Sequence, residues 1–204
     1  MNKEFLILGV GRSGTGYISE LFSNLGYPIG HEKMGEYGIA SWLFAVNSEP
    51  KNLPNNWGSF TPKLRRKEDT FNHVINVIRN PVHVIRSFAN FPPPDNNEWR
   101  KEFISIDKNL NPMEQLIKIY IEWNKLILNQ NPNLTVKLES ASSTIPKYLI
   151  ENNFPLPEQI TLPSSNTNSK GKNKELTIEH IKYWTNPELL DEFNKEIQLY
   201  EKLD

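Results

Sequence analysis

Phe5-Leu-Ile-Leu8 runs directly into Gly9-Val-Gly-Arg-Ser-Gly-Thr-Gly16, and this junction decides the fold. The continuous apolar run predicts a strand that is buried on both faces, as in a parallel sheet. After the glycine-rich turn, apolar residues recur at helical spacing, and Gly26 follows them where a glycine C-cap belongs. These apolar residues are Ile18, Leu21, Phe22 and Leu25. A strand, a glycine-rich turn and a helix in this order are typical of the start of a doubly wound α/β domain.

Later segments continue the alternation of strands and helices. His73-Val-Ile-Asn-Val-Ile78 predicts a second core strand, and it leads into Asn80-Pro81, an N-cap followed by proline at the first helical position. Asn111-Pro-Met-Glu114 predicts a capping box, Leu134-Thr-Val-Lys-Leu138 a third strand, and Asn186-Pro187 the start of a terminal helix. The buried side of the helix after Asn111 is expected to carry Met113, Leu116, Ile117, Tyr120, Ile121, Ile127 and Leu128. We therefore expect one domain over residues 1–204, with a central, mostly parallel sheet in a three-layer α/β/α arrangement.

The composition excludes several classes of function. The 204 residues include 23 Lys and Arg against 24 Asp and Glu, a formal charge of −1, so a basic site must be local. The absence of cysteine excludes disulfides, zinc-thiolate sites and thiol nucleophiles, and it agrees with a reducing compartment. The first apolar run, Phe5–Val10, is shorter than a signal peptide, and no run approaches the roughly 18 residues of a membrane span. We expect a cytoplasmic protein.

The glycine-rich turn is suited to an anion, because its backbone N–H groups and the helix N-terminus can surround one. Two nucleotide-binding patterns match it in part. Gly9 and Gly14 have the spacing of a Walker A loop, the signature of P-loop NTPases, but Thr15 stands where that loop has its lysine. With Gly11 they also match the Gly-x-Gly-x-x-Gly dinucleotide fingerprint. However, Tyr27-Pro-Ile-Gly-His31 carries proline and glycine where the dinucleotide fold has a central strand.

A third pattern matches better. Gly11-Arg-Ser-Gly-Thr15 resembles the phosphosulfate-binding loop of the sulfotransferases, whose core is Lys/Arg-Ser-Gly-Thr-Thr/Asn. The resemblance implies that Arg12 contacts the donor, 3′-phosphoadenosine 5′-phosphosulfate (PAPS), around the bond being broken, and that Ser13-Gly-Thr15 holds the 5′-phosphate. Gly16 departs from the pattern, which commonly has a second threonine there, although its backbone N–H remains. Tyr17 stands where an aromatic ring often stacks on the adenine, and a tyrosine packed at the helix start is the alternative.

A second motif lies at the end of the second predicted strand. Arg79 precedes Asn80-Pro81, and Ser87 follows eight residues after the arginine. This spacing resembles the sulfotransferase element whose arginine and serine hold the 3′-phosphate of the nucleotide. A guanidinium fork and a hydroxyl suit a phosphate. The family also has a late basic loop at this phosphate, for which Lys170 and Lys172 are the candidates; a solvated lysine loop is the alternative.

Transfer of a sulfuryl group to an oxygen requires a general base near the acceptor. Gly30-His-Glu32 resembles the Gly-Glu-Glu segment of protein-tyrosine sulfotransferases, whose second glutamate is the base, and this favours Glu32. Other sulfotransferases use a histidine, so His31 is the rival, and a pair of solvated loop residues is a third alternative. The scheme requires no metal, and no metal-ligand spacing stands out. The remaining histidines, expected to be structural, are His73, His83 and His180.

Together the two motifs predict a PAPS-dependent sulfotransferase acting on a hydroxyl or amine acceptor, without a nucleic-acid partner. The acceptor is open among glycans, lipids, peptides and small metabolites. Its pocket is expected between loops 33–66 and 91–105, which carry Trp42, Trp57, Phe60 and Trp99. One other function is a phosphoryl transferase with a degenerate P-loop, which the missing Walker lysine and the lack of an evident magnesium-binding aspartate near the loop disfavour. Another is a non-catalytic nucleotide-binding protein.

Overall fold

The computed structural model describes residues 2–46, 65–66, 68–90, 102–164 and 176–203. Its strands are β1 (Asn2–Leu8), β2 (Ile29–His31), β3 (Gly38–Ala40), β4 (Thr70–Ile78) and β5 (Leu134–Lys137). Its helices are α1 (Thr15–Asn24), α2 (Pro81–Asn90), α3 (Pro112–Leu128), α4 (Ala141–Glu151), α5 (Ile178–Tyr183) and α6 (Pro187–Lys202). The strands form one sheet in the order β2-β3-β1-β4-β5, and every pairing is parallel. The predicted α/β class with a central parallel sheet is confirmed.

Helices cover the sheet on both faces. From β1, Phe5 and Ile7 pack into a buried cluster with residues of α1 and α4. Leu6 and Leu8 point to the opposite face and pack with residues of α2, α3 and α6. Successive side chains of a strand alternate between its faces, so a strand covered on both sides must be apolar throughout. This explains the uninterrupted apolar run that precedes the glycine-rich turn.

The connections after β1 and β4 leave the sheet in opposite directions. β1 is followed by α1, which packs on one face, and β4 is followed by α2, which packs on the other. β1 and β4 are neighbours, with Leu8 opposite Asn76 near their carboxyl ends. In open parallel sheets, ligands bind in the crevice that such a divergence leaves at the carboxyl ends of the strands. Both sequence motifs lie at this crevice.

The predicted helix starts are confirmed. Asn111 and Glu114 form the capping box of α3, the Asn80 Oδ1 accepts hydrogen bonds from the first turn of α2, and Asn186 caps α6. The predicted buried side of α3 is right for Ile117, Tyr120, Ile121 and Ile127. It is wrong for Leu128, which is 52% exposed. Leu128 lies about 100° round the helix axis from the buried Ile127, at the last residue of the helix.

Sequence reasoning missed β2 and β3. Each strand has three residues, which is too short for a periodic pattern; β2 begins directly after Pro28 and contains Gly30. β2 lies at the edge of the sheet and not at its centre. β3 inserts between β2 and β1, and a Cβ on Gly38 would lie 1.8 Å from the carbonyl oxygen of Phe5. Glycine at this position is therefore what lets β3 pair with β1.

Gly14 should be the least replaceable residue of the glycine-rich turn. Its φ is +96°, and a Cβ would lie 2.6 Å from the Leu138 side chain. Gly26 has a φ of +90°, and no atom of the described residues lies within 4 Å of where its Cβ would be, so it is a matched control for the backbone effect alone. We expect Gly26→Ala to lower the free energy of unfolding by about 1 kcal/mol, and Gly14→Ala by about 1–3 kcal/mol more. Urea denaturation measures both, and equal losses would contradict the role given to Leu138.

Candidate active site

The glycine-rich loop, residues 9–16, is here called the P-loop. A Cβ on Gly9 would lie 2.8 Å from the carbonyl oxygen of Val77 in β4. The close approach of β4 is therefore a sufficient reason for glycine at this position. The loop turns through a hydrogen bond from the Ser13 N–H to the Val10 carbonyl (2.9 Å), and α1 begins directly after Gly14. Among the described residues no side chain caps α1, and the first turn of the helix contains no acidic residue. The backbone N–H groups of the P-loop and of the first turn of α1, together with the helix dipole, are therefore suited to bind an external anion.

The two motifs that sequence reasoning connected meet in the structure. Nε of Arg12 donates a 2.8 Å hydrogen bond to Oγ of Ser87 in α2, although 75 residues separate them. Nη1 of Arg79, just beyond the end of β4, lies 3.4 Å from the carbonyl oxygen of Arg12. Burial, and then the positive charge of Arg79, lower the pKa of Arg12. Two guanidinium groups thus share the crevice at the carboxyl ends of β1 and β4.

This arrangement differs from the expectation of two separate phosphate sites. Arg12 was assigned to the site at the P-loop and Ser87 to the site at Arg79, yet their side chains are hydrogen bonded. The reason is the sheet order: β1 and β4 are adjacent, so the residues that follow them occupy one crevice. The residues assigned to the two phosphates therefore lie in contact with each other.

Glu32 is a buried carboxyl group. The residue is 4% exposed and follows β2 directly. Ser41 Oγ donates a 2.5 Å hydrogen bond to one carboxyl oxygen, and the Trp42 N–H approaches the other at 3.4 Å. Burial raises the pKa of Glu32 to about 7, and the hydrogen bonds from Ser41 and Trp42 oppose that shift. Glu32 can therefore take up or release a proton near neutral pH, which the sequence could not show.

The turn after β3 holds this carboxyl in place, and sequence reasoning did not identify it. The Ser41 N–H donates to the Ile7 carbonyl in β1 (2.9 Å), and Ser41 Oγ accepts from the Leu43 N–H (3.2 Å). Trp123 of α3 donates from Nε1 to the Trp42 carbonyl (3.0 Å), and the two indole rings pack with centroids 5.6 Å apart. The short apolar run Gly38–Ala40 before Ser41 was the available indication. The carboxyl of Glu32 is thereby tied to the strand that carries the P-loop.

His31 joins Glu32 to the P-loop. Its Nε2 lies 3.2 Å from Oγ1 of Thr15, the first residue of α1, and 3.9 Å from Oε1 of Glu32. The His31 side chain is 44% exposed, and burial lowers its pKa. Thr15, His31 and Glu32 thus form a chain of polar groups from the N-terminus of α1 to the buried carboxyl.

Backbone conformation also distinguishes the site. Four non-glycine residues of the described part of the chain have a positive φ. Two are asparagines, which tolerate this region, and the others are Arg12 (φ 74°) and Glu32 (φ 53°). Strained backbone of this kind costs of order 1–3 kcal/mol per residue and concentrates at functional sites. Its presence at two predicted site residues supports a functional role for both.

The remaining predicted residues have different outcomes. Gly11 faces the rings of Phe88 and Trp42, since a Cβ there would lie 3.5 and 3.9 Å from them. Tyr17 is half-buried and packs against the apolar cluster on the α1 face. His73, His83 and His180 lie in β4, α2 and α5, as predicted. Outside the described residues lie Trp57, Phe60, Trp99, Lys170 and Lys172.

Comparisons with known proteins identify no family for this chain. A scan against protein-family models and searches of curated proteins and of solved structures each return no match. Within the described ranges, no helix has the length and apolar character needed to cross a membrane. The same residues contain no cluster of three or more His, Asp or Glu side chains placed to hold a metal ion.

Proposed function

We propose that this protein transfers a sulfuryl group from PAPS to a hydroxyl or amine acceptor. The observation that carries the proposal is the convergence of Arg12, Ser87 and Arg79 beside the P-loop. Each motif alone is weak, because glycine turns and strand-end arginines are common. Their meeting in one crevice is what a nucleotide with phosphates at its 5′ and 3′ positions requires.

In this proposal each phosphate of the donor binds to a different part of the site. The P-loop N–H groups and the Ser13 and Thr15 side chains hold the 5′-phosphate at the start of α1. Arg79 and Ser87 hold the 3′-phosphate. The positive charges of Arg12 and Arg79 disfavour each other in the free protein, as the lowered pKa of Arg12 indicates. A bound anion between them relieves that repulsion, which favours donor binding.

The proposed reaction is an in-line displacement at sulfur. The acceptor oxygen or nitrogen forms a bond to the sulfur while the bond from sulfur to the bridging phosphate oxygen breaks. The acceptor proton passes to the base, and the electron pair of the broken bond remains on the departing 3′-phosphoadenosine 5′-phosphate (PAP). Arg12 and the P-loop N–H groups stabilise the charge that develops on that phosphate. The side chains that act in the reaction must be held in position before it begins. Ser87 holds Arg12 in this way, and Ser41 holds Glu32, each through a hydrogen bond.

Glu32 is the better candidate for the base. Its carboxyl is held by Ser41 and the Trp42 N–H, and its pKa of about 7 suits proton transfer near neutral pH. His31 is less suited, because its Nε2 is directed to the Thr15 hydroxyl on the nucleotide side. Trp42 and Phe88, whose rings lie beside Gly11, would border the acceptor.

Nucleotide binding tests the proposal without knowledge of the acceptor. We expect PAP to stabilise the protein in the absence of magnesium, since cationic side chains and N–H groups supply the contacts. At a PAP concentration 100 times the Kd, the gain is about 2.7 kcal/mol, or a rise in Tm of roughly 5–10 °C for a chain of this size. Differential scanning fluorimetry with PAP, and with ATP plus magnesium as comparison, measures this.

The comparison ligand separates the alternatives. A larger stabilisation by ATP with magnesium would favour a phosphoryl transferase with a degenerate P-loop. Stabilisation by PAP without transfer of labelled sulfate from PAPS to any of a mixed set of acceptors would favour a non-catalytic nucleotide-binding protein.

A further inference from the structure

His31 contacts Thr15, the residue at which the P-loop departs from a Walker A loop. Thr15 occupies the place of the Walker lysine, so the loop lacks that permanent cation. His31, from the end of β2, brings its Nε2 to 3.2 Å from Oγ1 of this threonine. A neutral hydroxyl from the loop is thereby paired with a group that can become charged.

The surroundings of His31 set its charge. The Glu32 carboxyl lies beside the imidazole, with Oε1 3.9 Å from Nε2. From α1 the contact is the neutral Thr15 hydroxyl, and the neutral Ser41 and Trp42 face Glu32. Arg12 of the same loop is hydrogen bonded to Ser87. Because burial lowers the pKa of His31, its imidazole is largely neutral at pH 7 in the free protein.

We propose that His31, beside the P-loop, is an anion-binding residue that gains its positive charge when the nucleotide binds. The inference rests on the proposed function, because it requires the 5′-phosphate to lie at Thr15. A phosphate oxygen hydrogen bonded to the Thr15 hydroxyl is within about 6 Å of Nε2, the sum of two hydrogen-bond lengths. An opposite charge at this distance favours the protonated imidazole.

Nucleotide binding should therefore take up a proton, and affinity should fall as pH rises. The sign follows from linkage: the bound state holds more protons than the free state, so a lower pH favours it. A Walker lysine remains charged at every physiological pH and gives no such dependence. The exchange of lysine for the Thr15–His31 pair would make donor binding sensitive to pH.

Calorimetric titration of wild type and His31→Gln with PAP at pH 6, 7 and 8 tests this. Glutamine keeps a donor of similar reach but does not titrate. At pH 6 we expect wild type to bind PAP several-fold more tightly than the variant, with equal affinities at pH 8, because a rise of about one unit in the pKa gives its full tenfold gain only well below the pKa of the free protein. In buffers of different ionisation enthalpy, wild type should take up more protons at pH 7. The phosphate protons of PAP are common to both proteins and cancel in the comparison.

Two further variants control for neighbouring groups. Glu32→Gln removes the other group that titrates near neutral pH, and His83→Gln removes an exposed histidine in the field of Arg79 and Arg86. His83→Gln should retain the whole pH dependence of the affinity, and Glu32→Gln should retain the part that His31→Gln removes. An identical pH dependence in His31→Gln and wild type, or its loss in Glu32→Gln instead, would overturn the assignment to His31. Failure of wild type to bind PAP at any pH would instead reject the proposed function.

Discussion

Replacement of Glu32 by glutamine is expected to lower the rate of sulfuryl transfer by about two to four orders of magnitude, the usual contribution of a general base. The amide is close in shape to the carboxyl, but it cannot accept the acceptor proton. In wild type the rate should rise with pH through about 7, because Glu32 must lose its own proton before it can act. Transfer of labelled sulfate from PAPS to mixed acceptors, measured from pH 6 to 9, reports both effects.

The same variant should be more stable than wild type at alkaline pH. The folded protein raises the pKa of Glu32 from 4.5 to about 7, so the folded state binds more protons than the unfolded state in this window. Folding stability therefore falls as pH rises through the window, by on the order of 2–3 kcal/mol. Glutamine does not ionise, so it removes this loss of stability. It has only one side-chain oxygen, however, so it can accept only one of the two hydrogen bonds from Ser41 and Trp42. We expect a net gain of about 1–2 kcal/mol at pH 8.

Two outcomes would contradict the assignment of the base to Glu32. One is a rate in Glu32→Gln close to that of wild type. The other is a larger loss in His31→Gln than in Glu32→Gln at pH 8, where we expect nucleotide affinity to be equal; that result would make His31 the base. A combination of lost activity and gained stability distinguishes a catalytic carboxyl from a structural one, whose replacement would lower stability.

The sequence was sufficient for the features that local patterns determine. The strand, turn and helix at residues 5–26 and the Asn-Pro helix starts each depend on a few adjacent residues. Once the strands are parallel, the ends of β1 and β4 must share an edge of the sheet. The sequence therefore placed Arg79 and the P-loop at the same edge of the sheet, but their direct approach depends on β1 and β4 being neighbours, which the structure shows.

The missing features depend on contacts between distant segments. The position of Ser41 follows from the pairing of β3 with β1, where Phe5 lies opposite Gly38. Two strands of three residues give no periodic pattern, so nothing local indicated that pairing. The burial of Glu32 and the contact between Thr15 and His31 follow from it, because β3 is the one strand of the described residues that pairs with β2. The sequence indicated which residues to consider at 30–32, but not their surroundings.

Replacement of Arg79 by alanine is expected to weaken PAP binding by about two orders of magnitude. A guanidinium and a phosphate form charge-assisted hydrogen bonds of about 1.5–3 kcal/mol each, and each 1.4 kcal/mol changes affinity tenfold. Arg79→Lys keeps the charge without the planar fork and should lose about tenfold. Arg66→Ala, which removes an arginine whose side chain is 67% exposed, is the matched control and should bind as wild type does. Isothermal titration calorimetry measures all four proteins.

A second ligand shows where Arg79 acts. Adenosine 5′-phosphate lacks the 3′-phosphate, so its weaker binding should be unchanged in Arg79→Ala if the arginine contacts only that group. An equal loss for both nucleotides would mean that Arg79 acts through the P-loop, where its Nη1 approaches the Arg12 carbonyl. An unchanged affinity for PAP would remove Arg79 from the site altogether. Because Arg12 and Arg79 lie side by side, the ligand comparison is needed to separate their contributions.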